Sequence, residues 1–170
     1  EYLKGFALMG LSTAPQGLLY VTDMDRIEVS NLSRQFLFRK ENVGQQKSVT
    51  AATAARQMNP AMKIQCYETK VSPDTEGIFG DRFWESLDGA SNSLANVIAR
   101  RYFDSRCVFY EKPLLESGTL GTKANSEIII PHKTMSYSEQ KDPEVGNAIP
   151  MCLSSLSCHF FKTGVRLINY

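Results

Sequence analysis

The run Leu18-Leu19-Tyr20-Val21-Thr22 is short, apolar and rich in strand formers, and it stops abruptly on Asp23-Met24-Asp25. The alanine-rich stretch Gln45 to Met58 downstream reads as a helix, stopped by Asn59-Pro60. That order then repeats. Lys63 to Lys70 places Ile64, Cys66, Tyr67 and Val71 in a loose strand-like alternation, and Ile78 to Leu87 reads as a short helix. A longer helix is predicted from Asn96 to Tyr110, followed by strands at Leu114 to Glu116 and Glu127 to Ile130. Ahead of the first strand, Tyr2, Leu3, Phe6, Ala7, Leu8 and Leu11 recur at helical spacing, and Ser12 to Gly17 is turn-like. Asn31 to Phe38 reads as irregular or as one short helical turn. Strands and helices alternating in this way predict an α/β domain with a largely parallel sheet.

Three stretches fit that plan less well. Asp88 to Leu94 falls where a buried central strand is required, yet Gly89, Ala90, Ser91, Asn92 and Ser93 are poor strand formers. Pro131 to Asn147 turns polar and reads as an exposed connection, and Leu153 to Tyr170 is weakly patterned, with no evident partner for its apolar residues. The chain begins at Glu1 already inside a helical pattern, which predicts a piece of something longer.

Composition excludes several classes. Nineteen basic and 18 acidic residues nearly cancel over 170 positions, which predicts neither a nucleic-acid partner nor an anionic membrane surface. No apolar run approaches the roughly 20 residues of a transmembrane helix. Cys66, Cys107, Cys152 and Cys158 form no C-x-x-C pair, and with two histidines in the chain they predict neither a zinc site nor a disulfide framework. This usage suits a reducing compartment, cytoplasm or nucleus.

Few residues suggest chemistry unaided. Asp23 follows directly on a strand, where ligands of nucleotide-binding α/β folds sit and where a carboxylate can accept from ribose hydroxyls. The alternative is a turn residue using its carboxylate on local backbone. Lys47 opens the alanine-rich helix, where the helix dipole disfavours a cation, so with Arg34 it suits a phosphate; a solvated pair of surface cations is the alternative. Cys152, after Ile149-Pro150-Met151, reads as an inert packed or surface thiol.

Longer segments carry more. VTDMDRIEVSNLSRQFLFRKENVGQQKS (21–48), DTEGIFGDRFWESLDG, ARRYFDSRCVFYEKPLLESGTLGTKAN and IPHKTMSYSEQKDP closely resemble the second adenylation domain of ubiquitin-activating enzymes, in the ThiF/MoeB-like family. The resemblance covers about residues 1 to 152. It implies an incomplete Rossmann-like, doubly wound sheet, with a partial adenylation domain over 1–150. The start of the catalytic-cysteine region and a divergent tail then fill 151–170. It also implies ATP and Mg²⁺ as cofactors and ubiquitin and ubiquitin-conjugating enzymes as partners, with a second adenylation domain as a further candidate partner. In that chemistry the C-terminal carboxylate of ubiquitin attacks the α-phosphate of ATP, pyrophosphate leaves, and a cysteine takes the acyl group as a thioester. By resemblance Asp23 binds ribose, Arg34 and Lys47 meet the triphosphate, and Asn31, Gln35 and Asn96 are neighbouring polar contacts. Asp25 stands near the metal, and Cys152 matches the thioester-forming cysteine.

Three departures touch function. The glycine-rich strand–turn–helix expected before Glu1, whose backbone N–H groups would hold phosphate, is not among these residues, so the first strand of the sheet is expected to be lacking. The family pattern Ala-Leu-Asp-Asn reads Ser93-Leu94-Ala95-Asn96, which puts a methyl group where the family has its Mg²⁺-binding aspartate. Resemblance ends at Cys152, after which Leu153-Ser154-Ser155-Leu156-Ser157-Cys158 replaces the family's continuation. The expectation is a chain inactive in isolation. The alternative is a non-catalytic module of the same fold that binds ubiquitin or a partner adenylation domain.

Overall fold

The computed structural model describes residues 1–120, 123–140 and 164–168, excepting the side chains of 119, 120, 123 and 164–168. Cys152, Cys158, the 150/151 boundary and most of the 153–170 tail lie outside the described residues.

Helix α1 (Tyr2–Met9) buries Leu3, Phe6 and Ala7 and ends where Gly10 adopts a φ of 75°, a left-handed cap that favours glycine. Strand β1 (Leu18–Thr22) follows, then 3-10 turns at Val29–Ser33 and Lys40–Asn42, and helix α2 (Lys47–Met58). Asn59 Nδ2 donates to Ala7 O at 2.9 Å and ties the ends of α1 and α2 together. The chain continues through β2 (Ile64–Tyr67), α3 (Asp81–Glu85), β3 (Gly89–Asn92) and α4 (Val97–Phe109). The hairpin strands β4 (Leu114–Leu120) and β5 (Lys123–Ile129) come next, and β6 (Gly164–Ile168) is last.

One sheet collects the strands in the order β2-β1-β6-β3-β4-β5. β1 with β2 and β3 with β4 are parallel, whereas β6 runs antiparallel to both β1 and β3. The parallel arrangement read from sequence is therefore only part of a mixed sheet. The expected gap at its centre is taken by tail residues, which find backbone partners after all. β1 and β3 both run opposite to β6 and so point the same way, bringing their carboxyl ends to one edge. Among the described residues no helix is long and apolar enough to cross a membrane.

The hydrophobic core has two parts. Leu19 and Val21 pack with Ala51, Ala52 and Ala55 of α2, with α1, and with Ile27, Leu37 and Phe38. Small residues on α2 let it lie close on the sheet, which is why an alanine-rich helix occurs here. The second part joins Trp84, Leu87, Ala90, Phe103, Cys107, Leu114 and Ile129.

The predicted elements recur with adjusted limits. β4 and β5 are longer than expected because residues 117–120 and 123–126 pair across the hairpin, despite little apolar content. β3 forms as required, and all four of its residues are buried although only Ala90 joins the apolar core. Its place is fixed by backbone: Ala90 N donates to Pro113 O at 2.8 Å, and both edges are paired. The stretch after Ile130 is not wholly an exposed connection, because Tyr137 is buried against α4.

Candidate active site at the carboxyl end of β1

Asp23 leaves β1 buried, and its Oδ1 accepts from Asp25 N at 2.8 Å. This is the local turn contact that such a residue can always make, and it holds the carboxylate at the strand end. Asp25 in turn reaches the start of α2. Its backbone O accepts from Lys47 N at 3.0 Å, and its Oδ2 pairs with Lys47 Nζ at 3.0 Å. The Lys47 side chain is only 9% exposed and that of Asp25 28%. A cation in the first turn of α2 is thus balanced by a carboxylate from the β1 loop. A short bridge between Arg26 and Gln46 keeps the two segments in register. Asp23, Asp25 and Lys47 therefore meet at the edge where α/β sheets bind ligands.

Asn31, Arg34 and Gln35 belong to the next turn and have structural duties there. Asn31 is buried, and its Oδ1 accepts from Glu28 N at 3.0 Å, closing the 3-10 turn. Gln35 is buried on the same turn, its N donating to Asn31 O at 2.9 Å. Arg34 is half-buried and donates from Nη1 to Ser30 O at 2.6 Å. Phosphate would have to draw Arg34 away from that carbonyl.

Asn96 stands on the other half of the sheet, after β3. Its Oδ1 accepts from Ile98 N at 2.8 Å and Ala99 N at 3.4 Å, so it caps α4. β6 intervenes between β1 and β3, so the Asp23 and Asn96 segments start roughly 10 Å apart, two strand spacings. Asn96→Ala is expected to cost about 1 kcal/mol through loss of the cap, read as a lowered urea midpoint. An unchanged midpoint would leave Asn96 with no structural duty.

The donor set does not fit a metal site shared between these segments. Ala95, beside Asn96, is exposed and offers no side-chain oxygen. Among the described residues no group of three or more histidine, cysteine, aspartate or glutamate side chains converges to hold an ion. Mg²⁺ binding through few carboxylates relies on substrate phosphates and water, and Asp25 is already engaged by Lys47.

One polar cluster lies outside the residues that the sequence singles out. Glu116 of β4 is 0% exposed and grips Arg100 of α4 in a fork: Nε to Oε1 at 2.6 Å, Nη2 to Oε2 at 2.9 Å. Burial pushes the Glu116 carboxyl above the usual range, and Arg100 pulls it back in part. The guanidinium lies 4.5 Å over the Tyr137 ring. Asp104, one turn along α4, accepts from Tyr137 N at 3.2 Å, Ser138 N at 3.0 Å and Ser138 Oγ at 2.7 Å. The hint in the sequence is a glutamate directly after Leu114-Leu115, within a predicted strand. Nothing local identified Arg100 as its partner.

Comparison with known proteins gives the family and the fold. A model of the ThiF family matches residues 1–159. Ubiquitin-like modifier-activating enzyme 1 of Dictyostelium discoideum is 56% identical over 152 residues, covering 89% of this chain and 15% of that protein. The Homo sapiens enzyme of the same name is 55% identical over 152 residues, covering 89% and 14%. Ubiquitin-activating enzyme E1 2 of Arabidopsis thaliana is 55% identical, with the same coverage of 89% and 14%. The chain thus spans about 15% of the length of the curated relatives. Among solved structures, E. coli MccB with succinimide superposes with a TM-score of 0.69 at 22% identity, covering 82% of this chain and 40% of that one. MccB with MccA-N7isoASN gives 0.64 at 23%, covering 74% and 36%. At such identity these structures speak for the fold.

Proposed function

The chain belongs to the ThiF family, and from that premise we propose that it is part of the second adenylation domain of a ubiquitin-activating enzyme. The observation that carries the reading is the meeting of Asp23, Asp25 and Lys47 at the carboxyl end of β1. ATP would place its ribose on Asp23 and its phosphates toward Lys47 and Arg34, with Asn31 and Gln35 holding the turn that presents Arg34. Cations there stabilise the charge that builds on departing pyrophosphate. In the whole enzyme the C-terminal carboxylate of ubiquitin is the nucleophile at the α-phosphate, and Cys152 is the acceptor that exchanges the acyl phosphate for a thioester. Conjugating enzymes would then take the thioester, in cytoplasm and nucleus.

Ala95 separates membership from activity. An adenylating site gains several kcal/mol of transition-state stabilisation from its metal, and a methyl group supplies none of the ligation. The 170 residues in isolation are therefore a nucleotide-site frame without catalysis. Titration with ATP tests the frame: saturable binding should weaken roughly tenfold or more, about 1.4 kcal/mol, in both Asp23→Ala and Lys47→Ala. Equal binding by all three proteins would overturn it. Ala95→Asp is expected to make ATP affinity rise with Mg²⁺, on the order of tenfold, while the unaltered chain stays insensitive.

The same substitution favours a second reading, a non-catalytic module of adenylation fold that contacts ubiquitin or a partner adenylation domain. Titration with ubiquitin decides it, and absence of saturable binding counts against it.

A further inference from the structure

We propose that residues 164–168 are the strand that integrates this domain, pairing on both edges to join two halves that would otherwise form separate sheets. The first half is β1 and β2 with α1 and α2, and it carries Asp23, Asp25 and Lys47. The second is β3, β4 and β5 with α3 and α4, and it carries Asn96 and the Arg100–Glu116 fork. Among the described strands β1 and β3 do not pair with each other. Both pair with β6, and in matching register. Leu167 stands opposite Leu19 and Gly89, Arg166 opposite Tyr20 and Ala90, and Val165 opposite Val21 and Ser91.

The hydrophobic cores divide along the same line. Leu19 and Val21 belong to one cluster and Ala90 and Leu114 to the other. The main side-chain contact across that line is one ring cluster, in which Tyr20 meets Phe83 at 5.1 Å and Tyr67 meets the buried Phe79 at 5.3 Å. With the Tyr2 hydroxyl near Ser126 Oγ at 3.3 Å, it joins side chains and leaves the backbone edges of β1 and β3 to β6. β3 cannot compensate, since Gly89, Ser91 and Asn92 add no apolar side chain to that core. Without β6 both β1 and β3 would present an edge of unpaired N–H and C=O groups inside the domain, a costly arrangement. The strand therefore sets the spacing between the carboxyl ends of β1 and β3. This concerns the sheet, and it holds whether or not the site takes nucleotide.

Amide hydrogen exchange on the full chain tests it. In the unaltered protein, amides of 164–168 should be protected as strongly as those of 18–22. Arg166→Pro removes an N–H and fixes φ in a central strand, whereas Arg166→Ala leaves the backbone intact. Protection at 18–22 and 89–92 should fall at least about tenfold in the proline variant and stay unchanged in the alanine variant. General loss of protection in Arg166→Pro, with Arg166→Ala native, supports the same conclusion, since only the backbone of β6 differs. Free-chain exchange of 164–168 in the unaltered protein would overturn the proposal. So would equal protection in the two variants.

Discussion

Glu116→Ala is expected to destabilise the domain by about 3–5 kcal/mol, the usual cost of removing one partner from a buried ion pair. The reason is what remains. Arg100, its side chain 15% exposed, keeps its charge and loses both hydrogen bonds of the fork. The Tyr137 face at 4.5 Å cannot replace them, because a cation–π contact contributes about 0.5–2 kcal/mol. For a domain of this size each kcal/mol lowers Tm by about 2–4 °C, so the melting point should drop by roughly 10 °C. Glu116→Gln retains the shape and one acceptor, and should lose less. Gly118→Ala acts on the same fork from outside, since a Cβ at Gly118 would run into the Arg100 guanidinium. A Tm for Glu116→Ala within 2 °C of the unaltered protein would show that the fork is dispensable.

Trp84→Ala should be of similar size, about 3–5 kcal/mol, because it combines lost burial with a cavity that the surroundings cannot fill. Trp84 is 1% exposed at the centre of the second core. Its ring stacks on Tyr110 at 5.8 Å with planes 4° apart and meets Phe103 edge-on at 5.5 Å. Helix α3 is only five residues long, and Trp84 is its one buried side chain, with Phe83 against Tyr20 and the Tyr110 hydroxyl donating to Asp81 as further ties. Chemical denaturation followed by circular dichroism measures the loss, and a change below about 1 kcal/mol would mean that the ring is not the anchor of α3. Trp84→Phe keeps most of the apolar area and should lie between the two.

How much of this could be read from sequence depends on the range of the interaction. Helices α2 and α4 and strand β1 follow from local composition and stop signals, and they appear within a few residues of their expected limits. Asp23 stands out as a candidate because strand-end position is a local property. Its turn contact with Asp25 N is the local alternative, and the structure shows that contact. Lys47 is out of place at a helix start by local rules, and the Asp25 carboxylate 22 positions away explains why it is tolerated. That partner is tertiary and left no periodic trace. The same holds for Arg100 with Glu116 and for Asp104 with Ser138: each pair is joined by packing across the fold, not by spacing. β6 was least legible of all. Gly-Val-Arg-Leu-Ile is too short a pattern to stand out, and its role comes wholly from two long-range backbone ladders.

The central claim is that these residues keep the frame of an adenylation site but not the means to catalyse. ATP–pyrophosphate exchange in the presence of ubiquitin and Mg²⁺, run on the purified chain after cooperative unfolding has shown it to be folded, tests this most directly. The account predicts no exchange above the level of a reaction without protein. Sustained exchange that depends on ubiquitin and is abolished by Lys47→Ala would contradict it, and would mean that Ala95 does not disable the site.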